Sequence, residues 1–187
     1  MSNVPTGRRG SQSSNFHSPS PSLAIDSTTH DSQDISVTHI SNKKRLKALK
    51  KFSGAVILSV DDNPINQRII TRFLQGTQFH VITANGGLEA LDILLKEKIS
   101  LILMDVMMPD LDGYETTRRI RMRYSKDELP VVFVTAKAAE DKGYQVGGNG
   151  FLFKPVNQSQ LLKQIISLLK KSAKSTKLKY PTLPPPS

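Results

Sequence analysis

The chain has 187 residues, enough for one domain with appendages, and holds no cysteine, which excludes disulfides, thiolate metal sites and thiol nucleophiles. Its formal net charge is +10, yet residues 52–170 carry 14 Lys/Arg against 13 Asp/Glu, so the basic character belongs to the flanks and argues little for nucleic acid at the core. There is no run of 18 apolar residues to span a membrane and no apolar signal core in the first thirty residues, so a cytoplasmic location is expected.

Residues 1–42 are rich in Ser, Thr, Asn and Gln, with isolated apolar residues. Such a segment buries too little surface to offset its ordering entropy, and disorder is predicted. Lys43 to Lys51 place six positive charges in nine residues. The segment reads as a solvated linker, with docking to an acidic partner as the alternative. The chain thus divides into a tail and linker over 1–51, a globular domain over 52–170, and a basic, Pro-rich tail over 171–187.

Ala55–Val60 is an apolar run of strand length ending in Asp61-Asp62-Asn63-Pro64. Pro64 suits the first turn of a helix. Ile65, Ile69, Ile70, Phe73 and Leu74 follow at helical spacing, and Gln75-Gly76 closes it. His80–Ala84 is a second strand. Leu88, Leu91, Leu94 and Leu95 mark a second helix, with Glu89, Asp92 and Lys96 outside. Leu101–Met104 is a strand apolar throughout, as in parallel sheets, and it ends in Asp105.

Gly113 to about Tyr124 reads as a third helix. Tyr114, Thr117, Ile120 and Tyr124 share one face, and Arg118, Arg119, Arg121 and Arg123 make the other strongly basic. Pro130–Val134 is a fourth strand ending in Thr135. Ala138–Val146 leaves room for only a short fourth helix. Phe151–Phe153 is a brief fifth strand ending in Lys154-Pro155, and a last helix spans about Gln158–Lys170.

Strands and helices alternate five times, which predicts an α/β doubly wound parallel sheet. Right-handed crossovers bring every strand's C-terminal end to one edge. Asp61, Asp62, Asp105, Thr135 and Lys154 all sit at such ends. A strand-end Asp, Thr or Lys taken alone is usually a turn or surface residue; their convergence on one rim is what carries the reading. Clustered carboxylates need a compensating cation, and Mg²⁺ takes a few carboxylates together with water and phosphate oxygens. Asp61, Asp62 and Asp105 are the candidate ligands. Asp105 is then a natural phosphoryl acceptor, with Lys154 and Thr135 placed to hold phosphoryl oxygens.

The motifs Val60-Asp61-Asp62-Asn63-Pro64, Leu103-Met104-Asp105-Val106-Met107-Met108-Pro109-Asp110-Leu111-Asp112-Gly113, Val134-Thr135-Ala136-Lys137 and Phe153-Lys154-Pro155 resemble, as a set, the CheY-like receiver domain of two-component response regulators. The Asp-Asn-Pro-x-Asn opening is similar to receivers of hybrid sensor kinases. The resemblance implies a flavodoxin-like fold of five strands and five helices. It also implies Asp105 as phosphoacceptor, Asp61 and Asp62 as Mg²⁺ site acids, and Thr135 and Lys154 as phosphate-sensing residues. By the same resemblance the backbone carbonyl of Met107 joins the metal site, the Lys154-Pro155 peptide is cis, and Phe151 is the aromatic of the switch.

One departure stands out. Thr135 and Lys154 lie 19 positions apart, short of such receivers by about one helical turn. The shortfall falls between Lys137 and Gly143. Gly150 also stands where an Asp is common.

The expected function is a phosphoacceptor served by a histidine kinase or histidine phosphotransfer protein, signalling by protein contact or onward transfer. Such a module promotes its own phosphorylation and dephosphorylation and is not an enzyme in the ordinary sense. A receiver scaffold that no longer switches is the alternative. A haloacid-dehalogenase-type phosphatase needs an acid/base Asp two residues after the nucleophile, and Met107 occupies that position. Nucleic acid is not expected as a partner, since the core shows no reader motif.

Overall fold

The computed structural model describes residues 47, 49–136 and 140–179, the last four by backbone alone. The Ser-rich segment, most of the basic linker, the Pro-rich end and the start of the expected fourth helix lie outside these residues. Strands β1 (Val56–Val60), β2 (His80–Ala84), β3 (Leu101–Met104), β4 (Val131–Thr135) and β5 (Gly150–Phe153) form one parallel sheet in the order β2-β1-β3-β4-β5. Helices α1 (Pro64–Leu74), α2 (Gly87–Lys96), α3 (Gly113–Arg121), α4 (Glu140–Gln145) and α5 (Gln158–Lys179) connect and follow them. This is the expected flavodoxin-like arrangement.

The sheet is buried on both faces. Ile70 and Leu74 of α1 and Leu161 to Leu169 of α5 pack with Ile57, Leu103 and Val132 on one side. Ala90 and Leu94 of α2 and Tyr114 and Ile120 of α3 pack with Leu58, Ile102 and Phe133 on the other. Alternating strand residues therefore feed two separate apolar layers. Among the described residues, no helix is long and apolar enough to cross a membrane.

The apolar stripes are wider than the buried faces. Ile65 and Ile69 of α1 are 63% and 42% exposed, and Leu88 and Leu95 of α2 are 55% and 64% exposed. Spacing alone puts these four in the core; the structure buries Ala90 instead, because the α2–α3 approach is close. A Cβ on Gly87 would sit 2.1 Å from Thr116 Oγ1.

Two helix ends also differ from expectation. α3 stops at Arg121 rather than Tyr124, although the Tyr124 N–H still donates to Ile120 O at 3.0 Å. α5 continues nine residues past Lys170, as residues 171–179 hold no Gly or Pro to stop it. The tail expected from residue 171 is therefore helical up to Lys179. Of the expected fourth helix, the described residues show Glu140–Gln145 as helical.

Arg121 does not join the basic face assigned to it. It turns inward and donates from Nε to Gly147 O at 2.9 Å, from one terminal nitrogen to Leu129 O at 3.0 Å and from the other to Asn149 Oδ1 at 3.2 Å. Asn149 Oδ1 also accepts the Val131 N–H at 2.9 Å. The fork thus ties α3 to the approach to β4 and to the turn before β5. Gly147 has φ +94°, and a Cβ there would lie 2.9 Å from Arg121 Nε. Burial pushes the guanidinium pKa down to about 10, which leaves it charged at neutral pH. Arg121→Ala strands several buried carbonyls and is expected to lower the unfolding free energy by about 2–3 kcal/mol in urea denaturation. Arg121→Lys should recover little of it, because one ammonium cannot span three acceptors.

Candidate functional site

The register builds the site. Val60 pairs with Met104, so the next residues, Asp61 and Asp105, emerge side by side at the C-terminal edge. From β1 the chain passes to β2 on one flank and then crosses back to β3 on the other. Asp61 and Asp105 therefore flank the point where strand order reverses, which is where open α/β sheets bind ligands. Both are buried, 5% and 6% exposed. Asp62 is exposed, and one carboxylate oxygen from each of the three acids lies within 4.8 Å of the others.

Lys154 follows β5 directly, one residue past Phe153, which pairs with Thr135 at the end of β4. Its ammonium donates to Asp105 Oδ2 at 2.6 Å and to Asp61 Oδ2 at 2.8 Å. The Lys154-Pro155 peptide is cis, as the resemblance implies. Burial pulls the ammonium pKa down, but the hydrogen bonds and charges of Asp105 and Asp61 outweigh it and hold it above the ordinary lysine value. Thr135 is fully buried at the rim, and its carbonyl accepts the Lys154 N–H at 3.0 Å.

Met107 lies in the loop after β3, 70% exposed, with its N–H 3.4 Å from Asp105 Oδ1. Phe151 stands apart from the polar cluster. Its half-buried ring stacks on Phe133 at 5.2 Å and meets Tyr144 edge-on at 5.2 Å. It also lies against Gly143 of α4, where a Cβ would fall 2.2 Å from the ring.

Other residues position the cluster and went unnoticed in the sequence. Asp61 Oδ1 accepts the Asn63 N–H at 2.9 Å and Asn66 Nδ2 at 3.0 Å. Gln67 Nε2 donates to Asp61 O at 2.6 Å and to Ala84 O at 3.1 Å, joining the ends of β1 and β2. The available signal was two amides in the first turn of a helix that begins at the acidic pair. Gly113 is forced by proximity, since a Cβ there would lie 2.0 Å from Asp105 O. Asp112 caps α3 beside it, accepting the Glu115 N–H at 2.7 Å.

A cavity of about 370 Å³ opens beside the cluster, lined by Ile69, Ile70, Val134, Pro155 and Val156 with Asp61, Asn66 and Lys154 at its polar end. The assembled groups can hold a hard divalent cation on carboxylate oxygens. They can also present a carboxylate to an electrophile next to a fixed positive charge.

Residues 57–166 match the response regulator receiver domain family. The sensor histidine kinase RcsC of Escherichia coli K12 is 41% identical over 125 residues, which cover 65% of this chain and 13% of RcsC. The chain thus spans only a small part of that relative. Protein PilH of Pseudomonas aeruginosa is 36% identical over 118 residues, 62% of this chain and 98% of PilH. Among solved structures, the receiver domain of sensor histidine kinase PA1611 from P. aeruginosa PAO1 has a TM-score of 0.58 and 32% identity, covering 63% of this chain and 98% of that one. That structure is described with a magnesium ion coordinated in its active-site cleft. The acidic cluster Asp61, Asp62 and Asp105 fits magnesium binding.

Lys154 is the internal counter-ion of the cluster, so Lys154→Met should destabilise the metal-free protein by about 3 kcal/mol. Added Mg²⁺ should restore much of that loss in a thermal denaturation series. Because the folded ammonium pKa is raised, the contribution of Lys154 is complete at neutral pH. It should fade only as pH climbs beyond about 10.4, the ordinary lysine value, through the raised one.

Proposed function

The chain belongs to the response regulator receiver domain family, and on that premise we propose that Asp105 accepts a phosphoryl group from a histidine kinase or a histidine phosphotransfer protein. The observation that carries this reading is the Asp105 carboxylate at the strand-order reversal, held 2.6 Å from the Lys154 ammonium and grouped with Asp61 and Asp62. In the reaction an Asp105 carboxylate oxygen forms a bond to phosphorus as the bond from phosphorus to the donor's imidazole nitrogen breaks. The electron pair of that bond returns to the imidazole, and an acyl phosphate remains.

A magnesium ion bound by Asp61, Asp62, Asp105 and the Met107 carbonyl would supply positive charge to the transferring oxygens. The chain's own residues do the rest. Lys154 shifts its hydrogen bond from Asp105 to a phosphoryl oxygen, and the Thr135 hydroxyl meets another. Asn66 and Gln67 keep Asp61 fixed while this happens. Phe151 responds to the movement of Thr135, which lies across β4 and β5 from it in the sheet. The exposed Ile65 and Ile69 and the apolar cavity beside Lys154 offer the donor protein a docking surface next to the acceptor oxygen.

The signal then leaves by protein contact or by onward transfer of the phosphoryl group. The chain is a self-modifying acceptor rather than a turnover enzyme. Histidine-kinase chemistry draws on ATP, so the reading places the chain in the cytoplasm.

Incubation with Mg²⁺ and acetyl phosphate should give one phosphoryl adduct by intact mass. Asp105→Asn or EDTA should abolish it. A folded protein that takes up no phosphoryl group would sink the proposal and favour a scaffold that does not switch. Met107 offers no polar side chain to orient a hydrolytic water, so the adduct should persist for minutes or longer once the donor is removed. Decay within seconds would exclude that role for the position.

A further inference from the structure

The edge of the sheet opposite the acidic cleft is strongly basic. In a parallel sheet the segment before β1 and the ends of the returning helices all reach this N-terminal edge. Leu49 and Phe52 pack onto the α1/α5 layer, and the Gly54 N–H donates to Gln78 O at 2.8 Å. These contacts hold Lys47, Lys50 and Lys51 at that edge, all exposed. α5 runs back past the same edge and adds Lys170, Lys171 and Lys174, also exposed. Arg72 closes α1 there. The only described acids at this edge are Glu97, Asp127 and Glu128, in the two loops that also carry Lys98 and Lys126. The C-terminal edge carries Asp61, Asp62, Asp105, Asp110 and Asp112. The domain is therefore a strong dipole along its strands.

We propose that this lysine-rich pole docks the domain on an anionic lipid surface, leaving the acidic cleft facing the aqueous phase. The pole joins two segments more than a hundred residues apart in sequence, so neither charge run alone discloses it. Lipid is favoured over nucleic acid by the chemistry of the side chains. The pole is built almost entirely of lysines, compact point charges suited to a diffuse anionic surface, where base reading wants forked donors entering a groove. The aromatics in the described segments at this edge, Phe52, Phe79 and Tyr124, all pack against the core, with Lys51 over the Phe52 ring at 5.9 Å, so they are poorly placed to stack on a base. The proposal stands apart from the phosphoacceptor reading and survives if that reading fails.

The test is flotation of the full chain with phosphatidylcholine vesicles, with and without about a third phosphatidylserine, beside a duplex DNA arm. Binding should require phosphatidylserine and fall as added salt shortens the screening length. Each lysine near the surface is worth about fivefold in affinity. The pairs Lys50→Gln/Lys51→Gln and Lys170→Gln/Lys171→Gln, made separately, should thus each weaken binding by roughly 25-fold. All four positions are exposed, and unchanged thermal denaturation of each pair would confirm an intact fold. Binding that ignores phosphatidylserine, no binding, indifference to either pair, or tighter binding to DNA than to vesicles would each overturn the proposal.

Discussion

An ammonium shared between two buried carboxylates sets the terms for the rest of the molecule. Asp61 and Asp105 end neighbouring strands, and Lys154 reaches both from the end of β5, two strands from Asp105 and three from Asp61. Two buried acids this close are costly unless a cation joins them. The cation must come from β5, so β5 must lie in register with β4, and β4 with β3. The strand order and the close approach of Gly113 to Asp105 serve that one geometry. Lys154 thus supplies part of the compensating charge from within the chain, one ammonium against three clustered carboxylates, and the remaining negative charge suits a divalent cation.

Much of this was legible in the sequence. The apolar runs before Asp61 and Asp105 marked the two strands, and the alternation with helices fixed a parallel sheet with all strand ends on one rim. The short fourth helix was visible as missing length. What the sequence hid has a common physical origin, because periodicity reports which residues share a face and not what covers that face. Ile65, Ile69, Leu88 and Leu95 have core spacing and yet face outward. Arg121 has surface chemistry and yet points inward, because three acceptors from distant segments converge on it. Asn66 and Gln67 looked like ordinary polar residues of a helix start, and only tertiary structure reveals their grip on Asp61.

The two edges of the sheet follow from one rule of the fold. Parallel α/β topology points every helix N-terminus toward the strand C-terminal ends, so helix dipoles favour acids at that edge and bases at the other. Glu89, Glu115, Glu140 and Asp141 lie in first turns, and Arg72, Lys96 and Lys142 in last turns. The acidic cleft and the basic pole intensify a polarity that the backbone already has.

The arginine clasp also bears on how the chain tolerates changes in length. The turn between α4 and β5 is fixed at Gly147 and Asn149 by Arg121, and the Gly148 N–H bonds back to Gly143 O at 2.9 Å. A residue gained or lost there would break several bonds at once. The shortfall expected from the sequence falls between Lys137 and Gly143, ahead of that turn. Insertions and deletions in descendants of this chain should gather on that side, leaving the clasped turn constant in length while the helix before it varies.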